Sequence, residues 1–104
     1  MSLYGIYGRH TPEGCPLYNK ENRNIIIKLE EKLSKIAEKN CVKILRQYHS
    51  ALEHEFTWIV DAKGAHQVQS FMIESQWAKF NTMKIVPLGT YEELVGVCKG
   101  LGIE

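Results

Sequence analysis

The chain has 104 residues, 44% of them hydrophobic and 24% charged, which suits a single domain over residues 1–104 and is too short for two separate cores. Thirteen Lys and Arg against twelve Asp and Glu leave a formal charge of +1, so no strong field draws in nucleic acid or an anionic membrane surface. Apolar runs such as Ile25-Ile26-Ile27 fall far short of the roughly 18 residues of a membrane span, and no signal-peptide core is expected.

Three cysteines, Cys15, Cys41 and Cys98, are odd in number, far apart and not arranged as Cys-x-x-Cys. That pattern argues against a disulfide framework, a zinc ribbon and a thioredoxin-type motif, and points to reduced thiols in the cytoplasm. Cys41 and Cys98 read as small packing groups, and Cys15 as a loop residue.

In chain order, Leu3 to His10 combines tyrosine and isoleucine before Thr11-Pro12-Glu13-Gly14, which predicts a first strand and a turn; Met1 and Ser2 are set aside as an expression remnant. Pro12 and Pro16 keep the following stretch irregular. With Asn19 or Asn22 as N-cap, Ile26, Leu29, Leu33, Ile36 and Ala37 recur at helical spacing, predicting one continuous helix that Asn40 ends in a left-handed conformation. Cys41 to His49 and His54 to Ala62 read as strands, and the short Ser50 to Glu53 link permits only an antiparallel hairpin. Gly64 to Gln76 predicts a second helix, with Ala65, Val68, Phe71, Met72 and Ser75 facing a core. Met83 to Leu88 is a fourth strand that Pro87 assigns to a sheet edge. Thr90-x-x-Glu93 is a capping box opening a last helix, with Tyr91, Leu94, Val95 and Cys98 as its stripe and Gly100 and Gly102 as its close.

This order gives an α+β, ferredoxin-like βαββαβ fold: a four-stranded antiparallel sheet, two helices on one face and a short C-terminal helix. Two helices cover one face only. Yet Tyr4, Ile6 and Tyr7, Ile44 and Leu45, Trp58 and Ile59, and Ile85 and Val86 send apolar groups to both sides. The uncovered face is therefore expected to meet its counterpart in a homodimer.

Tyr7-x-x-His10-x-x-Glu13-x-Cys15-Pro16 and His54-x-Phe56-x-x-Ile59-Val60-x-Ala62, together with the element order, resemble small uncharacterised prokaryotic proteins of the dimeric α/β-barrel superfamily. The resemblance implies a ferredoxin-like dimer. The superfamily includes muconolactone isomerases, haem-degrading and quinone-forming monooxygenases, and stress-response proteins without an established reaction. No motif in this chain matches the catalytic residues of those enzymes, so what is implied is fold more than chemistry.

The topology brings His10, His49 and His54 to one edge of the sheet, where the loop carrying Glu13 and Cys15 also departs. His49 and His54 flank the hairpin loop with β-carbons expected about 5 Å apart. The ordinary reading is three strand-end histidines bonded to loop carbonyls, since no spacing is diagnostic of a metal site. Two functional readings stand beside it: a transition metal held by the three histidines with one position left to water, and, preferred over it, a metal-free ligand site formed by His10, Glu13, Cys15, His49, His54 and Trp58. His10 and His54 are its candidates for proton transfer and Cys15 for a nucleophile activated by His10. His66 reads as a surface residue. Arg9 and Arg46 are candidate carboxylate binders, and Tyr7, Tyr48, Trp58 and Phe71 candidate pocket linings or plain core.

The expected function is small-molecule binding by a cytoplasmic homodimer, with cofactor and substrate open. The alternatives are an isomerase or cofactor-free monooxygenase, and a purely structural or regulatory interaction module. A fourth is an RNA-recognition-like domain, suggested by Leu3-Tyr4-Gly5-Ile6-Tyr7-Gly8 but opposed by the near-neutral charge and a third strand without the expected basic residue and glycines.

Overall fold

The computed structural model describes residues 1–103, with β1 (Ser2–Arg9), α1 (Lys20–Leu29), α2 (Leu33–Lys39), β2 (Val42–Ser50), β3 (Glu55–Ala62), α3 (Ala65–Glu74), α4 (Trp77–Phe80), β4 (Thr82–Leu88) and α5 (Tyr91–Leu101). The strands form one sheet in the order β2-β3-β1-β4 with every neighbouring pair antiparallel, the ferredoxin-like arrangement expected from the element order. β1 starts one residue before Leu3, because Ser2 pairs with Ala62. β4 is an edge strand, which is where Pro87 can sit without breaking a ladder on both sides.

Alternation along the strands separates two faces. Tyr4 and Ile6, Phe56, Trp58 and Val60, and Met83 and Ile85 turn towards the helices, where they pack with Leu29, Ala37, Val68, Phe71, Met72 and Trp77. Leu3, Tyr7, Ile59, Val86 and Leu88 lie on the opposite face, among the charged Arg9, Glu55, Asp61 and Lys84. Gly5 lies there too, beneath the Tyr7 ring: a β-carbon at Gly5 would come within 2.6 Å of it. A bulge in β2 resets its phase, since Ile44 pairs with Val60 but Arg46 with Ile59. The extra residue, Leu45, moves Gln47 and His49 to the helix side and Arg46 and Tyr48 to the open side.

The expected first helix is two helices. Lys32 donates to Leu29 in a turn between them, and this change of direction lets both Leu29 and Ala37 reach the core. The left-handed residue that follows is Cys41 (φ 58°), not Asn40 (φ −94°), because the Asn40 amide itself closes the helix by donating to the Ile36 carbonyl at 2.8 Å. The second helix stops at Glu74. Gln76 then takes a left-handed conformation (φ 69°), and α4 returns Trp77 to the core, its ring 4.9 Å from that of Trp58.

Cys41 and Cys98 are both exposed, which corrects their assignment as packing groups. For Cys98 the cause is that α5 extends away from the sheet with no buried residue, although its Thr90 cap is formed. The radius of gyration is accordingly 16.0 Å, above the roughly 13 Å of a compact chain this long. No helix among the described residues is long and apolar enough to cross a membrane.

Candidate functional site

His10 follows the last residue of β1 and continues its ladder, donating its backbone N–H to the His54 carbonyl at 3.0 Å. His54 closes the hairpin loop in the left-handed region (φ 56°), a conformation that disfavours most residues other than glycine and directs its ring back over the rim. His49 reaches the same side because of the β2 bulge and lies opposite Phe56. The His10 ring is 5.9 Å from His49, nearly parallel to it, and 5.6 Å from His54, edge-on.

Cys15 completes the group. Far from lying in a loose loop, it is fully buried. The loop is pinned from α1 and its cap: Asn19 Nδ2 donates to the Glu13 carbonyl, Asn22 Nδ2 to Gly14, and Arg23 to both Pro16 and Leu17. Asn19 also caps α1 through the Asn22 N–H, so one short segment both starts the helix and holds the cysteine. The ligating atoms of His10, Cys15 and His54 all lie within 4.8 Å of one another.

A second-layer residue fixes the chemistry of His10. Asn81, itself buried, donates Nδ2 to the Trp77 carbonyl at 3.1 Å, which orients its amide so that Oδ1 meets His10 Nδ1 at 2.9 Å. That oxygen only accepts, so Nδ1 carries the hydrogen and Nε2 of the neutral ring keeps its lone pair. His10 is only 8% exposed, and its Nε2 is buried without a hydrogen-bond partner among the described residues, as is His54 Nδ1. His49, although exposed, is held below its usual pKa, first by partial desolvation of its ring and then by the neighbouring His10 and His54.

Beside this group lies an open cleft of about 690 Å³, lined by His10, His54, Lys79, Phe80 and Asn81 among others. Two residues expected at the site are not brought into it. Glu13 is exposed, and Trp58 lies deeper, packed among Phe56, Phe71 and Trp77. Arg9 pairs with Glu55 at 3.2 Å, Arg46 turns to its neighbouring Leu45 carbonyl, and His66 is exposed as expected. Nothing in the sequence pattern distinguished Arg23 or Asn81, and Asn22, a candidate N-cap, instead donates to Gly14 while Asn19 caps the helix; polar residues flanking proline loops and strand starts are a signal that could have marked them.

The sheet geometry also bears on base stacking. The β3 aromatics, Phe56 and Trp58, are buried on the helix side, and β3 offers Thr57 and Ile59 to the open face instead.

Residues 16–102 match the family described as "Domain of unknown function (DUF3303)". No curated protein matches the chain. Among solved structures it is similar to a dimeric ferredoxin-like protein from an uncultured marine organism, at 14% identity and a TM-score of 0.40, covering 88% of this chain and 95% of that one.

Proposed function

The chain belongs to the DUF3303 family, a domain of unknown function, and on that premise we propose that it is a homodimeric small-molecule-binding protein whose ligand enters the cleft at the His10 rim. The observation that carries this reading is the convergence of His10, Cys15 and His54 beside a cleft of about 690 Å³, with two buried imidazole nitrogens free to bond an incoming group. Buried polar atoms left without partners are costly, and a ligand that satisfies them gains what the free protein lacks.

Pairing through the open sheet face is the second part of the reading, supported by Leu3, Tyr7, Ile59, Val86 and Leu88 on a side no helix covers. Free thiols at Cys15, Cys41 and Cys98 fit the reducing cytoplasm. The alternative is an enzymatic use of the same site, an isomerase or cofactor-free monooxygenase, with His10 and His54 as its candidates for proton transfer and the clustering of their rings with Cys15 as its support.

A thermal-shift screen of chelator-treated protein against small carboxylates, phenols and quinones tests the binding reading. At least one compound should raise Tm in the wild type and fail to do so in His10→Ala and His54→Ala. Identical shifts in all three proteins would exclude the rim.

A further inference from the structure

We propose that His10 Nε2, Cys15 Sγ and His54 Nδ1 together bind a borderline divalent transition metal, zinc foremost, with a fourth coordination position open to the cleft. This rests on the reading of the rim as the binding site and names what binds there.

The donor set selects the ion. Two imidazoles and a thiolate suit zinc, cobalt and copper, whereas magnesium and calcium take oxygen ligands, and the carboxylates nearest in sequence, Glu53 and Glu55 on either side of His54 and Glu13 before Cys15, are all exposed and outside the group. Three protein ligands are the number found where a metal keeps one position for water or substrate.

The geometry is nearly that of a ligand set. Tetrahedral bonds of about 2.0–2.3 Å would hold the three donor atoms roughly 3.3–3.6 Å apart. Against their present limit of 4.8 Å, closure requires a movement on the order of 1 Å. Their distance in sequence explains why no spacing motif revealed them: strand end, pinned loop and hairpin loop each contribute one ligand.

Two further observations point to an ion rather than to packing. His10 and His54 each bury an imidazole nitrogen that has no partner among the described residues, and His10 as a whole is 92% buried, taken from its 8% exposure. In addition, the His10–Asn81 hydrogen bond is the outer-layer contact that ligating histidines use to fix tautomer and ring direction, and it leaves Nε2 as the available donor. On binding, the Cys15 thiol proton passes to solvent as the sulfur–metal bond forms, and no electron transfer is involved.

The test titrates chelator-treated protein with cobalt(II), then displaces it with zinc(II). The expected result is one cobalt per chain, with thiolate-to-cobalt charge-transfer and four-coordinate visible bands. Cys15→Ser should lose the charge-transfer band. His54→Asn, which tolerates the left-handed backbone, should weaken binding about 10-fold or more, while His66→Gln leaves it unchanged. Circular dichroism identifies any variant that fails to fold, and His54→Asn keeps the test decisive if Cys15→Ser does fail. Absence of saturable binding, or a charge-transfer band that survives Cys15→Ser, overturns the proposal. If metal binding fails while a His10-dependent organic ligand is found, the metal falls and the small-molecule reading stands; the reverse pair of results leaves the metal and removes the small molecule.

Discussion

His10 Nδ1 and Asn81 Oδ1 lie 2.9 Å apart although 71 residues separate them in the chain, and this buried contact joins the end of β1 to the start of β4. Asn81→Leu would leave the Nδ1–H of His10 buried without an acceptor, at a cost of about 1–3 kcal/mol. Asn81→Asp keeps the acceptor and should lose less. Urea midpoints give the ranking, and nitrogen-15 shifts of the imidazole should show the Nδ1-protonated tautomer of His10 in the wild type and its loss in Asn81→Leu.

The left-handed backbone of His54 (φ 56°) makes a different prediction for the same rim. His54→Gly should fold with stability equal to or greater than the wild type, since glycine adopts this conformation freely. His54→Val should lose about 1–3 kcal/mol through backbone strain alone. Equal Tm values for the two variants would contradict the assigned conformation.

Close approach at Gly8 supports the neighbouring packing. A β-carbon there would lie 2.3 Å from the Phe56 ring and 2.9 Å from the Thr82 carbonyl, so Gly8→Ala should destabilise by about 1–3 kcal/mol. Trimming the ring in Gly8→Ala/Phe56→Leu should recover part of the loss, which a double-mutant cycle of denaturation midpoints would register as coupling.

Acid sensitivity should come partly from Glu74. The Asn40 amide and then the Lys39 ammonium donate to its carboxylate, at 3.2 and 3.1 Å, and hold it below the usual value of 4.5. A carboxyl whose folded pKa is lowered stabilises the protein above its unfolded pKa, and that contribution is lost as pH falls from 4.5 through the folded value. Glu74→Gln should therefore narrow the gap between urea midpoints at about pH 7 and about pH 3. The group is solvent-accessible, so the change should be small and reduced by salt.

Sheet pairing has its own test. Light scattering should give the wild type a mass twice that of the 104-residue chain, and Ile59→Lys or Val86→Lys, each placing a charge on the open face, should return it to the single-chain value. A wild type that scatters as one chain would remove the dimer from the proposed function.

The strand and helix order was legible because alternation and helical spacing leave their periods in the sequence, and Asn19 and Thr90 cap the helices they were expected to cap. Phase shifts were not legible. The bulge at Leu45, the break before Leu33 and the reversal at Gln76 are set by packing between distant elements, and each rotates residues by a fraction of a period that local pattern cannot register. The same limit applied to the rim. Its histidines could be placed from strand ends, but the burial of Cys15 depends on three α1-side hydrogen-bonding residues, and the availability of His10 Nε2 on an amide fixed by a Trp77 carbonyl.

An eleven-residue helix such as α5 falls below the roughly 12–15 residues at which helices persist in water unaided, and none of its residues is fully buried, Val95 alone being half-buried. At that length the helix is expected to be marginally stable in the isolated chain. In the isolated chain the amides from Leu94 to Cys98 should exchange with deuterium at nearly the coil rate while those of β1 and β3 resist. Slow exchange in that stretch would act as an internal gauge of association, readable without a label and without knowing in advance what has docked.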